Sequence, residues 1–109
     1  MDVFDLKDLL KEHADSGERS LRFMFRDALS MGLYILPAGA EDLQQPHTED
    51  EVYHVLSGEA TWVVGDEMRP VSEGAIIYVD RLNPHKFIDI TEELKLLAIF
   101  APPYGSLAK

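Results

Sequence analysis

The sequence predicts an all-β fold, a small antiparallel sandwich or barrel preceded by one short helix. From Leu21 onward, apolar and polar residues alternate with the period of two that is typical of half-buried strands. Short apolar segments separated by turn residues then follow as far as Phe100, as in folds built from neighbouring antiparallel strands. The chain has 109 residues, enough for one domain with its own core and too few for two.

The helix is predicted near the N-terminus, where apolar residues recur at helical spacing. Gly17 lies where such a helix should end. His13 belongs to the same pattern, and we expect it to be exposed. The apolar residues of the pattern are Phe4, Leu6, Leu9 and Leu10.

The strands are predicted from the apolar segments that turn residues bound. The first contains Leu21, Phe23 and Phe25, and the later ones are Leu33 to Leu36, Val52 to Leu56, Ala60 to Val64, Ala75 to Val79, Phe87 to Ile90 and Leu94 to Phe100. We expect turns at residues 37–39, 57–58, 65–66, 73–74 and 83–84.

The end of the chain is predicted to form a tail, because a segment with two consecutive prolines cannot continue a central strand. It should fold over the surface or onto a partner. The chain is thus interpreted as a single domain with an N-terminal segment at 1–20, a β-barrel at 21–101 and a C-terminal tail at 102–109.

Charge and composition exclude several classes of function. Twenty acidic against ten basic residues give a net charge of −10, which argues against nucleic acid and anionic membrane surfaces as partners. The chain has no cysteine, so any metal must be held by nitrogen and oxygen ligands. It shows neither a signal peptide nor an apolar run of about 20 residues, so we expect a cytoplasmic protein.

One segment combines residues that are suited to metal binding. Gln45 and His47 are two residues apart and would share one face of an extended segment, and a short acidic turn then leads to Glu51 at the start of a strand. Tyr53 shares the strand face of Glu51, whereas His54 has the opposite parity and should point away from the interior. The pattern allows Gln45, His47 and Glu51 to converge at the mouth of a barrel.

The spacing of these residues resembles the first motif of the cupin superfamily, G-x5-H-x-H-x3(or 4)-E-x6-G. Gln45 replaces the first histidine of that motif. The second cupin motif, G-x5-P-x-G-x2-H-x3-N, is matched in spacing, with the family residue at two positions only. The matching positions are Gly39, Gln45, His47, Glu51 and Gly58 in the first motif, and Gly74, Asp80, Leu82, His85 and Asp89 in the second.

The resemblance implies a single cupin barrel, that is, a double-stranded β-helix or jelly roll, with the two motifs on its inner wall. It also implies one divalent metal ion (iron, zinc, nickel or manganese) bound by His47, Glu51 and His85, with Gln45 at the fourth place. An amide oxygen is a weak neutral donor, so Gln45 would either coordinate loosely or hydrogen-bond a metal-bound water. We expect Tyr53 to line the substrate pocket, because it shares the strand face of Glu51.

Three functions stay open from the sequence. The first is a metalloenzyme of the dioxygenase, isomerase/epimerase or lyase type that acts on a small, acid-free or sugar-like organic substrate. The second is a non-catalytic module that binds a small ligand or a metal, and the third is a degenerate barrel that lost its metal with the first histidine. We also expect a homodimer, because one small barrel leaves sheet edges and apolar residues uncovered.

Overall fold

The computed structural model describes residues 1–108, and its architecture confirms the predicted all-β class. Those residues form one helix and six strands, and the strands make one antiparallel sheet in the order β1-β2-β6-β3-β4, with β5 also paired to β3. The elements are α1 (Leu6–Ser16), β1 (Ser20–Phe25), β2 (Ser30–Leu36), β3 (Asp50–Val64), β4 (Glu67–Ser72), β5 (Ile76–Val79) and β6 (His85–Ala101).

The helix α1 confirms the N-terminal prediction and lies against β1 and β2. It ends at Gly17, whose φ of 71° is the left-handed conformation that glycine adopts freely. The expectation that His13 is exposed was wrong. His13 lies one turn after the buried Leu9 on the same helix face, and its Nε2–H donates to the carbonyl oxygen of Arg19 at 2.8 Å. Within residues 1–108, no helix is both long and apolar enough to cross a membrane.

Two long strands, β3 and β6, replace four of the predicted short ones. Predicted segments on either side of Gly58 join into β3, and those on either side of residues 91–93 join into β6. The turn expected at residues 57–58 is instead a set of register shifts in the β3–β6 pairing between Val55 and Thr61. Bulges of this kind bend the strand without ending it.

The strand β4 was not predicted, although the two turns that flank it were. It lies at the edge of the sheet, pairs only with β3 and is mostly exposed, so its sequence carries no apolar run. Pro70 is tolerated because an edge strand has one side without ladder hydrogen bonds.

The core is formed by the inward faces of β3 and β6 together with residues of β2 and β5. Alternate residues of β3 are buried, as the period of two predicted. The buried cluster comprises Leu36, Tyr53, Val55, Ala60, Trp62, Val79, Phe87, Ile90, Leu94, Leu96, Ala98 and Phe100.

The tail folds back over the protein's own barrel, the first of its two predicted placements. Glu49 is 1% exposed, and its carboxylate accepts hydrogen bonds from the Gly105 N–H at 2.7 Å, the Leu107 N–H at 3.1 Å and the Thr48 hydroxyl. Burial alone would raise the pKa of Glu49, but these three donors outweigh it and lower that pKa below the usual value. The buried charge of Glu49 is therefore satisfied and fixes the tail.

We predict that Gly58→Ala destabilises the protein more than Gly74→Ala does. Both glycines have positive φ, 102° and 93°, so both substitutions incur the left-handed strain of about 1–2 kcal/mol. Only at Gly58 would the new Cβ overlap the carbonyl oxygen of Glu93 and lie 2.8 Å from the Cα of Leu94. Urea denaturation should show an additional loss of about 1–3 kcal/mol for Gly58→Ala. Equal losses in the free energy of unfolding of the two variants would contradict this prediction, because they would mean that the β3–β6 pairing accommodates a side chain at residue 58.

We predict that Glu49→Gln releases the tail without unfolding the barrel. The amide keeps one acceptor oxygen and loses the charge, so the Gly105 and Leu107 N–H groups lose about 1–3 kcal/mol of charge-assisted hydrogen bonding. Hydrogen exchange measured by NMR should accelerate at these two amides, whereas the exposed control Glu92→Gln should leave them protected. Unchanged protection in Glu49→Gln would contradict the assigned role.

Candidate metal centre

Three side chains from different parts of the chain meet at one end of the barrel. His47 precedes β3, Glu51 is the second residue of β3, and His85 is the first residue of β6. One ligand atom from each of them lies within 4.8 Å of the others. The structure thus brings together the three residues that the motif resemblance implied as ligands.

Two atoms of this group are buried without any hydrogen-bond partner: Oε1 of Glu51 and Nε2 of His85. The Nδ1 of His85 lies 2.7 Å from the carbonyl oxygen of Asn83. A carbonyl can only accept, so Nδ1 carries the hydrogen and Nε2 is left facing Glu51. A buried polar atom without a partner costs about 1–3 kcal/mol, and more when it is charged, so a proton or a cation between these atoms would stabilise the arrangement.

The distances favour a cation rather than a shared proton. Glu51 Oε1 lies 3.4 Å from His85 Nε2 and 3.6 Å from His47 Nε2. A charge-assisted hydrogen bond would be about 2.7–2.9 Å. Two ligand atoms that each lie about 2.1 Å from one metal ion are separated by about 3.0–3.4 Å at angles between octahedral and tetrahedral. The observed spacing is close to that of two atoms that share one metal ion and too long for a charge-assisted hydrogen bond.

The two histidines experience different electrostatic surroundings. Burial lowers the pKa of His47; Glu51 opposes this, and the positive charges of His85 and Arg22 add to the lowering. Burial by itself would also lower the pKa of His85, but Glu51 and the Asn83 carbonyl stabilise its imidazolium and raise that pKa above the usual value. Glu51 thus raises the pKa of both histidines, and only at His85 do the raising effects exceed that of burial.

The two ligand loops are joined by a backbone hydrogen bond. The Leu82 N–H donates to the carbonyl oxygen of His47 at 2.7 Å. Leu82 occupies the glycine position of the second cupin motif and has a φ of 65°, the conformation for which that motif supplies glycine. The backbone shape required at this position is thus retained although its residue type is not.

The amide that contacts the cluster belongs to Gln44 rather than to Gln45. Gln44 Oε1 lies 3.3 Å from His47 Nε2 and accepts a hydrogen bond of 2.8 Å from the Tyr53 hydroxyl. Gln45 is exposed and lies at the rim of the cavity. The parity argument placed Gln45 beside His47 on one strand face, but residues 40–47 form no strand, so the period of two does not apply there.

Gln44 is fixed by Asp42, a buried carboxylate that the sequence analysis did not identify. Asp42 accepts hydrogen bonds from the Gln44 amide nitrogen at 2.6 Å, the Tyr34 hydroxyl at 3.0 Å and the Phe87 N–H at 2.9 Å. An acidic residue in a polar loop carries no sequence signal of burial. Only the packed loop shows that Asp42 orients the amide beside the cluster.

A cavity of about 310 Å³ is lined by two of the three residues, His47 and Glu51. This volume lies at the lower end of the range for small-molecule sites, about 300–1,000 Å³. Tyr53, predicted as a pocket residue, lines the cavity, and burial together with Glu51 raises its pKa well above the usual value. Its hydroxyl therefore stays protonated and acts as a donor.

His54 lies on the opposite strand face from Glu51 and Tyr53 and is not part of the cluster, as its position in the alternating pattern predicted.

Comparison with known proteins agrees with this architecture. An uncharacterised protein of Streptomyces coelicolor is 43% identical over 103 residues, covering 94% of this chain and 98% of its own. Among solved structures, ectoine synthase from P. lautus superposes with a TM-score of 0.76 at 22% identity, covering 94% of this chain and 79% of that one. An RmlC-like cupin family protein with a double-stranded β-helix fold from Methanocaldococcus jannaschii gives a TM-score of 0.68 at 20% identity, covering 76% and 78%.

The cupin domain family matches residues 32–100, most of the chain and the whole of the region that carries both motifs. That match, the antiparallel barrel and the converging His47, Glu51 and His85 lead to one conclusion: the chain belongs to the cupin family.

Proposed function

We propose that this protein is a divalent-metal-binding cupin and a small-molecule metalloenzyme, with His47, Glu51 and His85 as the protein ligands. The observation that carries the proposal is the pair of buried atoms without partners, Glu51 Oε1 and His85 Nε2, held 3.4 Å apart. It argues against the degenerate barrel, because a barrel that had lost its metal would gain stability by replacing these polar groups with apolar ones.

Two imidazoles and one carboxylate suit iron, zinc, nickel or manganese and leave coordination positions open. A metal bound there would act as a Lewis acid on a carbonyl or hydroxyl oxygen of the substrate. The Tyr53 hydroxyl donates to Gln44 Oε1 and Asp42 accepts from the Gln44 side-chain nitrogen, so these contacts would hold the Gln44 oxygen, an acceptor, beside the metal-bound group. The cupin resemblance implied Gln45 at the fourth ligand place. We assign that place to Gln44, because Gln44 contacts His47 and Gln45 does not.

A catalytic role is favoured over simple binding by the open cavity next to the ligand set. The similarity to ectoine synthase supplies an enzyme on the same fold but does not select a reaction, since one fold supports many activities. Oxygen uptake tests the dioxygenase type, and turnover of a panel of carbonyl and enediol compounds tests the isomerase/epimerase and lyase types. Metal-loaded protein that binds these compounds without turning any over would establish the non-catalytic module instead. The homodimer stays a prediction.

We predict that His47→Ala and His85→Ala each abolish stoichiometric metal binding, whereas His54→Ala retains it. Each of the first two removes a ligand, so affinity for Zn²⁺ should fall by more than about 100-fold, beyond the loss from a missing outer-sphere partner. Elemental analysis and calorimetric titration give the stoichiometry and Kd. At about 100 times Kd, Zn²⁺ should stabilise the native protein by about 2.7 kcal/mol, an increment that a chelator removes. Equal losses in all three variants would contradict the ligand assignment.

We predict that Gln44→Ala weakens metal binding by about 10-fold to 100-fold, because the Gln44 oxygen lies beside the ligand nitrogen of His47, where it would either coordinate loosely or accept a hydrogen bond from a metal-bound water. Gln45→Ala is the matched control, one residue away and exposed, and should bind metal as the parent does. The reverse order of effects, measured by the same titration, would restore the assignment to Gln45 and refute the loop geometry described above.

A further inference from the structure

Arg22 lies in the wall of the same cavity that opens onto the candidate metal centre. Arg22 is on β1, where successive side chains point to opposite faces. Ser20 and Arg22 line the cavity, and Leu21 and Phe23 face the other side. Arg22 is solvent-exposed, so its guanidinium stands where an entering molecule would meet it.

The guanidinium of Arg22 is held by an aromatic ring of the tail. Its Cζ lies 3.8 Å from the centroid of the Tyr104 ring, a cation–π contact. The Tyr104 ring also packs edge-on against His47, with centroids 5.6 Å apart, so Arg22 is one aromatic ring away from the ligand set. The Tyr104 N–H donates to the Ser30 hydroxyl at 2.9 Å, and the Glu49 carboxylate accepts from the N–H groups of Gly105 and Leu107. These hydrogen bonds fix the position of this wall.

No carboxylate of the described chain is paired with Arg22. The ion pairs among residues 1–108 involve other basic side chains, although the chain contains twenty acidic residues. Glu51 is the one carboxylate among the residues that line the cavity, and it belongs to the ligand set. Two further carboxylates nearby, Glu49 and Asp42, do not line the cavity and are satisfied by hydrogen bonds. At the cavity wall itself a divalent metal together with Arg22 would outweigh the charge of Glu51, so an anion could bind there in spite of the acidic exterior.

We propose that this cavity selects small organic carboxylates, with the guanidinium of Arg22 as the anchor for the substrate carboxylate. A second oxygen of the substrate then reaches the centre formed by His47, Glu51 and His85, and this half of the proposal rests on the proposed function. The planar fork of arginine matches the two oxygens of a carboxylate and provides directional hydrogen bonds as well as charge.

The wall chemistry favours a carboxylate over a phosphate. Arg22 is the one permanently cationic side chain among the lining residues, and no lysine joins it there. Leu33, Ala98 and Phe100 add an apolar surface that suits a short hydrocarbon segment and not a second anionic group. This differs from the acid-free substrate that the sequence suggested, because nothing in the sequence placed Arg22 beside the two motifs.

The test is calorimetric titration of the Zn²⁺-loaded protein with malonate, succinate, glutarate and adipate, and with the monoamide of each acid. The monoamide has the same length and one negative charge fewer. We expect the best-fitting diacid to bind at least about tenfold more tightly than its monoamide, the effect of one charge-assisted hydrogen bond. In Arg22→Gln the diacid should bind at least about tenfold more weakly than it binds the parent protein. The ratio of diacid to monoamide affinity should fall to about two, the statistical factor for a ligand with two equivalent ends.

Matched variants separate charge from folding. Arg69→Gln removes an exposed arginine of β4, away from this cavity, and should keep the preference. Tyr104→Phe keeps the aromatic ring and should keep most of the preference, whereas Tyr104→Ala frees the guanidinium and should weaken diacid binding. In Tyr104→Ala with Arg22→Gln the two losses should not add, since both act through one contact.

Titration of the metal-free protein with the same acids separates this proposal from the proposed function. Carboxylate binding that depends on Arg22 in a protein that takes up no metal supports the anchor while the proposed function fails. The anchor is refuted if no acid of the series binds, if Arg22→Gln binds the diacid as tightly as the parent does, or if inorganic phosphate binds the parent more tightly than every carboxylate tested.

Discussion

The curvature of the β3–β6 ladder is the constraint on which the rest of the structure depends. At one end of the ladder Glu51 pairs with Phe100, and at the other Val64 pairs with His85. A straight strand from Glu51 to Val64 would extend about 43 Å, longer than the 38 Å maximum extent of the molecule. Yet Glu51 Oε1 and His85 Nε2 lie 3.4 Å apart, so the ladder must curl until its ends meet.

The bend is made where the pairing register shifts, between Val55 and Thr61. Gly58 lies at its middle, where the backbone of Glu93 approaches so closely that no side chain fits. The glycine that closes the first motif is thus required by the close approach of two backbones, and it allows the bend that brings the residues of the candidate metal centre together. Curvature and ligand convergence are consequences of the same irregularity.

Glu49 and Glu51 show how the same residue type serves structure and chemistry two positions apart. Both are buried, at 1% and 2% exposure. The carboxylate of Glu49 is satisfied by donors of the tail and of Thr48, so it holds Tyr104 and thereby Arg22 in the cavity wall. Glu51 retains an oxygen without a partner that faces two histidines. The buried charge of Glu49 has its partners within the fold, whereas the oxygen of Glu51 without a partner is the observation on which the proposed metal site rests.

The sequence by itself determined the fold class and the helix that ends at Gly17, and its resemblance to the two cupin motifs implied that His47, Glu51 and His85 converge. These depend on local periodicity and on fixed spacing within short motifs, which the chain carries in its linear order. The tertiary structure decided which glutamine meets the cluster, because residues 40–47 have no ladder to impose an alternating period, and the buried Asp42 orients Gln44 instead. It also decided that β3 and β6 run through the positions where turns were expected, and that Arg22 and Tyr104 stand beside the centre. Strand continuity through a bulge and contacts between distant segments depend on long-range pairing, and no local pattern of residues encodes them.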